Sequence, residues 1–458
     1  MPIKNRRTLL SGLPEEEHRA RRLVLDAIEA AISSVDPRTL VQHHMEVLNG
    51  KLLIDRHRYD LNSLGRIFVI GGGKASGAMA EAMNQILGDR IHRGIVNVQT
   101  GTASSFEAGR IELNEARHPV PDDQGVESVK KMLNLVEDVD GRDLVICLIS
   151  GGGSALIPMP TEGISLEDMQ HVTQSLLRSG AHIGELNAVR KHLSGIKGGQ
   201  LAKKLYPAEV LSLIISDVVG DSLETIASGP TSPDRSTYQD AVQVLKKYRL
   251  WQKSPPQVRR LLSKGMAGEI SETPKPGDPI FQRVQNKIIG GGSIACKTAA
   301  ESLSREGLNT LVLPTYLKGE ARDAGISLSM MALDVETSNR PVKKPAAIIV
   351  GGETTVAVRG NGVGGRNQEV ALSFASKIDG MKDVVFASID TDGLDGNSDA
   401  AGAVVDGATM NRAREKGLDA LKFLERNDSY SFFSEVGGLI LTGTTFTNVN
   451  DIAVMVLI

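Results

Sequence analysis

Short apolar segments rich in β-branched residues alternate along this chain with segments whose apolar residues recur at helical spacing. The first half contains the strand-like runs RIFVI, GIVNV, DLVICLI and EVLSLIIS. A stretch bearing Pro, Gly and Ser follows at residues 254–279, and the alternation then resumes with NKII, NTLVLP, AAIIV and VVFASI. Alternating strands and helices predict mainly parallel sheets that are covered by helices on both faces.

The length of 458 residues favours two or three domains. The Pro-, Gly- and Ser-bearing stretch interrupts the alternation just after residue 250. We therefore expect an α/β fold of two α/β/α domains, a Rossmann-like domain at residues 1–250 and a second α/β domain at residues 251–458. The active site is expected in the cleft between the two domains.

Composition narrows the classes of partner. The net charge is −3 and aromatic residues make up 3% of the chain, which argues against nucleic acid as a partner. The longest apolar runs have strand length and the N-terminal segment is polar, so we expect no membrane association and a cytoplasmic protein. Cys147 and Cys296 show no metal-binding spacing, and both are predicted to be reduced core residues.

Four predicted strands end in glycine-rich turns, within VIGGGKAS, LISGGGSA, IIGGGSIA and IIVGGETT. In open parallel sheets, ligands lie at the carboxyl ends of the strands, beside helix N-termini. One such turn is explained by a tight connection, but four together predict a site for an extended anion. The residues of these turns that we expect to bind substrate or ATP are Gly71, Gly72, Gly73, Ser76, Ser150, Gly151, Gly152, Gly153, Ser154, Gly351, Gly352, Thr354 and Thr355.

Neither standard phosphate motif explains these turns fully. Lys74 follows a glycine, but Ala75 stands where a P-loop has Ser or Thr, and the first P-loop glycine is missing. Residues 71–76 nearly match the dinucleotide fingerprint and residues 290–295 do match it. The strands that follow end in NVQT and VLPT, without the acid that holds a ribose. An NAD(P)H site is therefore kept only as an alternative.

Two cations stand at predicted helix starts, Lys74 after the first glycine turn and Arg366 after Gly364 and Gly365. The helix macrodipole disfavours a cation at this end, so a bound anion would explain both residues. We expect Lys74 and Arg366 to be catalytic and to clamp a transferring phosphoryl group from opposite domains, with Gly365 and Asn367 beside it. The alternative for Arg366 is a salt bridge to a nearby carboxylate such as Glu369.

A third basic element is the segment LNAVRKHLSGIKGG. On a helix, Arg190, Ser194 and Lys197 would share a face, as would Asn187, Lys191 and Ser194. An anion site and an ordinary solvated face explain this pattern equally well. The residues kept as ligand-binding candidates are Asn187, Arg190, Lys191 and Lys197.

Acidic residues follow three predicted strands. Asp217, Asp221, Glu353, Asp390 and Asp392 form the pool from which we expect a Mg²⁺ ligand and a base for a substrate hydroxyl. The segment IDTDGLDGNSDA does not have the ligand spacing of an EF-hand. A run of Asx turns remains the alternative explanation for that segment.

These motifs together resemble the glycerate 2-kinases of the MOFRL family. The similarity lies in VIGGGKASGAMAEAM, LISGGGSALIPMP, LNAVRKHLSGIKGGQLA, SDVVGDSLETIASGPTSPD, GGETTVAVRGNGVGGRNQE, DTDGLDGNSDAAGAVVD and ARHPVPDDQG. The resemblance implies ATP- and Mg²⁺-dependent phosphorylation of D-glycerate at its 2-hydroxyl, giving 2-phosphoglycerate. It also implies two α/β domains, the second being the MOFRL domain, with Lys74 and Arg366 in the active site between them.

Three points remain open from the sequence. Some relatives carry the label hydroxypyruvate reductase, so an NAD(P)H-dependent reductase is the alternative activity, and an anion-binding regulator without turnover is a third. The segment TGTTFTNVND has Thr444 and Phe446 where the family motif has proline and glycine. Because Phe446 does not easily adopt glycine angles, we expect this loop to differ in shape. A homodimer is left open.

Overall fold

The computed structural model describes residues 3–55 and 57–458. These residues form two compact units, one made of residues 3–36 with 290–458 and the other of residues 37–289. The chain thus leaves the first unit after its N-terminal helices and returns to it after residue 289. The predicted boundary near residue 250 differs from this division, because the helices and loops after that residue still pack within the 37–289 unit.

Strands and helices alternate through both units. The strands are β1 (Met45–Leu48), β2 (Lys51–Ile54), β3 (His57–Asp60), β4 (Ile67–Gly72), β5 (Ile91–Gln99), β6 (Ile111–Ala116), β7 (Leu144–Ile149), β8 (Glu209–Ile215), β9 (Val284–Gly290), β10 (Asn309–Val312), β11 (Ala346–Gly352), β12 (Val384–Asp390), β13 (Gly402–Asp406), β14 (Leu439–Ile440) and β15 (Asp451–Leu457).

Helices stand before and between these strands along the chain. They are α1 (Arg6–Leu10), α2 (Glu15–Ser34), α3 (Pro37–His44), α4 (Ser76–Leu87), α5 (Asp123–Leu135), α6 (Gly153–Leu156), α7 (Leu166–Arg178), α8 (Ile183–His192), α9 (Gln200–Leu205), α10 (Tyr238–Lys247), α11 (Pro256–Met266), α12 (Gly292–Arg305), α13 (Ala321–Ser338), α14 (Arg366–Ala375), α15 (Thr409–Glu415), α16 (Ala420–Glu425) and α17 (Ser429–Val436). The 3₁₀ turns are Gly88–Arg90, Ala103–Ser105, Ile226–Ser228, Trp251–Lys253 and Pro279–Arg283.

The central sheet of the 37–289 unit has the strand order β6-β5-β4-β7-β8-β9. The pairs β6–β5, β5–β4, β4–β7 and β7–β8 are all parallel, which confirms the predicted arrangement for this unit. Every residue of β4 and β7 is buried, as expected for strands covered on both faces. Gly72 pairs with Ile149, so the glycine turns that follow β4 and β7 lie side by side.

The sheet of the other unit has the order β10-β11-β15-β12-β13-β14 and departs from the prediction. Only β10 and β11 pair in parallel, whereas β15 runs antiparallel to both β11 and β12. The expectation of a mainly parallel sheet is therefore wrong for this unit, although its α/β class is confirmed. All residues of β15 are buried, and a fully buried strand has the same apolar pattern in either direction.

The N-terminal helix α2 belongs to the same unit as the C-terminal sheet and packs on β12, β15 and α12. A buried ion pair joins Arg21 of α2 to Asp406 at the end of β13, with side chains 6% and 2% exposed. Asp406 also accepts a hydrogen bond from Arg412 Nη2 at 2.9 Å. Burial raises the pKa of Asp406, but the two arginines outweigh it and hold that pKa below its usual value. The pair fixes α2 to the sheet.

The two cysteines and the helices can be compared with the sequence-based expectations. Cys147 and Cys296 are both buried and unbridged, which confirms that they are core residues. Burial raises the pKa of each thiol to about 12, so neither is poised as a nucleophile. Within the described residues, no helix combines the length and the apolar character needed to cross a membrane.

Replacing Arg21 with alanine should destabilise the unit that contains α2. The change removes one of the two arginines that compensate the buried Asp406 carboxylate, and breaking a buried pair is expected to lower the free energy of unfolding by about 3 kcal/mol. Urea-induced unfolding followed by circular dichroism measures this loss. Arg22→Ala is the matched control on the same helix, since the side chains of Arg22 and Asp26 are 39% and 35% exposed and their pair should contribute less than about 1 kcal/mol. Equal effects of the two variants would contradict the assigned role of Arg21.

Candidate active site

Lys74 lies between two adjacent turns at the carboxyl edge of the parallel sheet. Helix α4 begins at Ser76 with Ala75 as its N-cap, so Lys74 precedes the helix rather than occupying its first turn as expected. The backbone N–H of Lys74 donates to the carbonyl of Gly151 at 2.8 Å. Because Lys74 lies outside α4, the helix macrodipole disfavours it less than expected, and its backbone is instead held beside the second glycine turn.

The first glycine turn is filled by its own chain. Gly71 and Gly73 have φ values of 139° and 155°. A Cβ on Gly71 would lie 2.1 Å from the carbonyl oxygen of Leu148 in β7, and a Cβ on Gly73 would lie 2.1 Å from Ser150 Oγ just after β7. The hydroxyl of Ser76 donates to the carbonyl of Leu148 at 3.2 Å, and Ser150 Oγ accepts from the N–H of Ala75 at 3.0 Å. For Gly71 and Gly73 the simple explanation of a tight connection holds, because these glycines let the two turns pack together.

The second glycine turn, residues 151–153, is bordered by the polar side chains of Lys74, His118 and Asp217. A Cβ on Gly152 would lie 3.1 Å from His118 Cδ2 and 3.3 Å from Lys74 Cγ. A Cβ on Gly151 would lie 2.5 Å from Asp217 Oδ2. Asp217 comes two residues after β8, so its predicted place at a strand end is confirmed. His118 was missed by the sequence argument, although it lies in the motif ARHPVPDDQG.

A cavity of about 310 Å³ opens beside this turn, and Gly152, Ser154, Arg190 and Lys197 are among the residues that line it. Lys197 is 1% exposed, and its Nζ donates to the carbonyl of Ser154 at 3.0 Å and to the hydroxyl of Ser154 at 3.3 Å. Burial, together with the charge of Arg190, lowers the pKa of Lys197 to about 7. Burial alone lowers the pKa of Arg190 to about 10.

The segment that carries these cations is not one helix. Helix α8 ends at His192, so the expectation that Ser194 and Lys197 share its faces is wrong. Arg190 and Lys197 nevertheless meet at the same cavity, because the chain turns back through residues 193–199. Lys191 is buried and donates to Asp234 Oδ1 at 3.1 Å, which indicates a structural ion pair.

Asn187 lies at the end of a hydrogen-bond chain that starts from the cavity. The hydroxyls of Ser154 and Ser228 are 2.7 Å apart, and Ser228 donates to Asn187 Oδ1 at 3.0 Å. In the described part of the chain, Asn187 Nδ2 is buried without a hydrogen-bond partner. Gly153 packs against the carbonyl of Gly72, where a Cβ would come within 2.9 Å.

Arg366 is the first residue of α14 in the other unit and is surrounded by acids. Its Nε donates to the two carboxylate oxygens of Asp451 at 3.0 and 2.7 Å, and its Nη2 donates to Asp390 Oδ2 at 2.9 Å. Glu353 lies 3.5 Å from Nη1. The alternative of a salt bridge to Glu369 is wrong in its partner, since Glu369 accepts from Asn427 Nδ2 at 2.8 Å.

The charges of this cluster perturb one another strongly. Burial lowers the pKa of Arg366, but Asp451, Asp390 and Glu353 outweigh it and hold that pKa above its usual value. Burial raises the pKa of Asp390, and the neighbouring Asp392 and Asp451 raise it further. These carboxylates therefore compensate the unfavourable effect of the helix macrodipole on Arg366, and a bound anion is not needed to explain a cation at this position.

Asp395 anchors the start of α14; it belongs to the acidic segment IDTDGLDGNSDA but not to the five acids predicted as metal ligands or base. Its carboxylate accepts from the N–H groups of Asn367 at 3.1 Å and Gln368 at 2.9 Å. Burial raises the pKa of Asp395 to about 6 even though these two N–H groups lower it. A Cβ on Gly365 would come within 2.3 Å of this residue, so Gly365 is explained by the close approach of Asp395.

Asn367 and the loop 390–394 complete the cluster. Asn367 Nδ2 donates to Asp451 Oδ1 at 2.8 Å, and Ser388 donates to Asn367 Oδ1 at 2.6 Å. Asp390 Oδ1 accepts from the N–H of Asp392 at 3.1 Å, and Asp392 Oδ1 accepts from the N–H of Leu394 at 3.0 Å. These two bonds form the Asx turns that were the alternative explanation for this acidic segment.

The remaining candidates of this unit follow β11. Gly352 has φ 152°, and a Cβ on it would lie 2.2 Å from the carbonyl of Leu317, so its role is close packing. Gly351 faces Cys296, whose Sγ would lie 2.9 Å from an added Cβ. The hydroxyl of Thr354 is buried without a hydrogen-bond partner among the described residues, whereas the N–H of Thr355 donates to the carbonyl of Gly319 at 2.8 Å.

No group of three or more His, Cys, Asp or Glu side chains that could hold a metal ion is found among the described residues. The five acids predicted as metal ligands divide between the two units, with Asp217 and Asp221 in the 37–289 unit and the other three around Arg366. Asp221 has φ 52°, and its N–H donates to the carbonyl of Val218 at 2.9 Å.

Phe446 behaves differently from the expectation. It adopts φ 61°, in the left-handed region where glycine is preferred. The hydroxyl of Thr445 donates to the carbonyl of Thr391 at 2.6 Å, and that of Thr447 to the carbonyl of Val35 at 2.7 Å. These buried bonds hold the residues on either side, so Phe446 accepts the glycine-like angle.

The buried Lys197 should make stability depend on pH. Its pKa is about 7 in the folded chain and about 10.5 when unfolded, so the unfolded chain binds more protons between these values. The penalty for burying the cation is complete below pH 7 and is relieved as pH rises toward 10. Relative to Lys197→Met, the wild-type chain should therefore gain stability between pH 7 and pH 9.5 in urea unfolding. Lys203→Met, an exposed control, should show no such trend, and a constant Lys197→Met difference would refute the shifted pKa.

The comparisons with known proteins cover both units. Residues 23–263 match the family described as a domain of unknown function, DUF4147, and residues 346–451 match the MOFRL family. A glycerate 2-kinase of Pyrococcus horikoshii is 41% identical over 95% of this chain and 97% of its own length. A protein of Agrobacterium vitis with the provisional name hydroxypyruvate reductase is 43% identical over 85% of this chain and 98% of its own length.

A solved structure extends this similarity to the fold. The crystal structure of a glycerate kinase from Thermotoga maritima matches with a TM-score of 0.84 and 39% sequence identity, covering 95% of this chain and 99% of that one. Because it covers 95% of the chain, the likeness extends over both units. The chain belongs to the glycerate kinase family in which a DUF4147 domain precedes a MOFRL domain.

Proposed function

We propose that this chain phosphorylates D-glycerate at its 2-hydroxyl, with ATP as the donor, to give 2-phosphoglycerate and ADP. The observation that carries the proposal is the turn at residues 151–153, where Lys74, His118 and Asp217 border one glycine-rich segment at the carboxyl edge of a parallel sheet. The kinship with a glycerate 2-kinase supports the choice of substrate and position.

Lys74 is proposed to stabilise the charge of the transferring phosphoryl group. Phosphoryl transfer depends mainly on positioning and on cations around the equatorial oxygens, and little covalent chemistry is left to the protein. The backbone of Lys74 is fixed to Gly151, while its side chain runs along Gly152. A lysine held in this way presents its ammonium group from a rigid base at the edge of the glycine turn.

Arg366 is the second residue proposed for the active site, in the role of an orienting cation. Its guanidinium donates hydrogen bonds to the carboxylates of Asp390 and Asp451, and its side chain is 25% exposed. The exposed part of the guanidinium is accessible to a phosphate oxygen. Arg366 can therefore contact the substrate while it keeps its bonds to the two acids. The sequence also predicts that the active site lies in a cleft between the two domains, and this stays a prediction.

Mg²⁺ is proposed to enter with the nucleotide. It usually keeps several waters and takes only one or two protein carboxylates together with phosphate oxygens, so a cage of three acids is not required. Asp217 fits this use because its carboxylate reaches the glycine turn. When bound, the ion would neutralise charge on the phosphates; the base is proposed to come from Asp217, Asp221, Glu353, Asp390 or Asp392.

The alternative of an NAD(P)H-dependent hydroxypyruvate reductase has weaker support. Its sequence basis is the fingerprint at residues 290–295, which needs a strand, a helix and a neighbouring parallel strand in one sheet. Here β9 belongs to one sheet, whereas β10, the strand after α12, belongs to the other. The unit that the fingerprint requires is not formed, so the reductase is kept only as a control reaction.

The kinase proposal predicts a specific product. Incubation with ATP, Mg²⁺ and D-glycerate should yield 2-phosphoglycerate, detected directly by coupling to enolase. A signal that needs added phosphoglycerate mutase would mean phosphorylation at the 3-hydroxyl. Binding of ATP without any product would favour a regulator, and NADH oxidation with hydroxypyruvate would favour the reductase.

Lys74→Ala should lower kcat by about two orders of magnitude or more, as expected for the loss of a donor to developing charge. The effect on unfolding should be small because the side chain is only partly buried. Lys203→Ala, an exposed lysine of α9, is the matched control and should keep wild-type turnover. A folded Lys74→Ala variant with full activity would exclude the proposed role.

A further inference from the structure

The cavity beside Ser154 is lined by the buried Lys197 and the partly buried Arg190, and neither has a carboxylate partner among the described residues. Among the described residues, Lys197 donates only to Ser154, and Arg190 makes only a 3.5 Å contact from its Nε to Thr173 Oγ1. An isolated cation loses much solvation free energy on burial unless an opposite charge compensates it. Two such cations at one cavity therefore indicate the binding site of a strongly anionic group.

The rest of the lining is largely apolar, which narrows the class of ligand. The apolar side chains around the cavity are Pro119, Val120, Pro121, Pro158, Met169 and Leu177. Three polar side chains of α7, Gln170, Thr173 and Gln174, lie among them and offer amide and hydroxyl groups. A cavity of about 310 Å³ with this lining suits a ligand that has a flat apolar part as well as charge.

We propose that this cavity binds the adenine nucleotide, with its phosphates at Arg190 and Lys197 and its base against the apolar lining supplied by α7 and the segment 119–121. The inference rests on the proposed kinase function and adds to it by placing the nucleotide in the 37–289 unit. It assigns Arg190, Lys197 and Leu177 to nucleotide binding.

Charge and size distinguish the nucleotide from D-glycerate. Glycerate carries one negative charge and three carbon atoms, so it would compensate only one of the two cations and leave the apolar lining in contact with water. A nucleotide polyphosphate can compensate both cations and can also bury a base. Gly152 lines the same cavity and contacts Lys74, so the phosphate end would approach the turn where transfer is proposed.

Arg190→Met tests the phosphate end of the cavity. Binding of MgADP, of tripolyphosphate and of D-glycerate is measured separately by calorimetry with the full chain. The variant should weaken MgADP and tripolyphosphate by about 10- to 100-fold, as expected for loss of a charge-assisted contact, and leave D-glycerate within about 2-fold. Arg178→Met, the same substitution at an exposed position of α7, should change none of the three.

Leu177→Gln tests the base end, since Leu177 is 56% exposed and its replacement should not disturb folding. We expect this variant to weaken MgADP by about 3- to 10-fold, for the loss of part of an apolar contact, without changing tripolyphosphate. Equal losses for both ligands, or no loss for either, would refute the placement of the base.

The outcomes separate this inference from the kinase proposal. Weaker binding of D-glycerate alone in Arg190→Met would overturn the inference, since the cavity would then hold the acceptor. An active kinase whose MgADP binding is unchanged in Arg190→Met would overturn the inference and leave the kinase function intact. A chain without kinase activity that still loses MgADP binding in both variants would support the nucleotide site and remove the kinase function.

Discussion

The parallel pairing of β4 with β7 is the constraint on which the proposed chemistry depends. It sets the ends of the two strands side by side, so that the turns after them must pack against each other. Gly71 and Gly73 make this approach feasible, because side chains there would collide with the chain at the end of β7. The result is a rigid edge in which the backbone of Lys74 is bonded to Gly151. A loop held in this way can position charge without reorganising when a substrate binds.

Much of this edge could be predicted from the sequence. Each glycine turn follows a strand as expected, and so do Lys74, Asp217 and Glu353, because apolar runs ending in glycine mark strand ends clearly. The two-unit α/β class was predictable for the same reason. The pattern of apolar residues identifies which segments are strands, and the carboxyl ends of neighbouring parallel strands necessarily lie at the same edge of the sheet.

Other features could not be predicted, because backbone pairing carries no side-chain signature. Strand β15 is buried on both faces, and its pattern does not reveal that it lies between β11 and β12 in the opposite direction. Helix α2 joins the C-terminal unit through long-range packing on α12, β12 and β15 and through the pair of Arg21 with Asp406. His118 and Asp451 likewise meet their neighbours only through the tertiary fold, although both lie in motifs visible in the sequence.

The cations of the two units differ in how their charge is compensated, and this difference bears on function. Arg366 is compensated by acids of its own unit, so the fold itself accounts for its charge. Arg190 and Lys197 have no acid of this kind within the described residues, and their pKa values fall because of burial. An uncompensated cation destabilises the fold in which it is buried, and a chain could relieve that penalty by a single apolar substitution. Retaining two such cations at one cavity is reasonable physically if a polyanion compensates them during each reaction cycle.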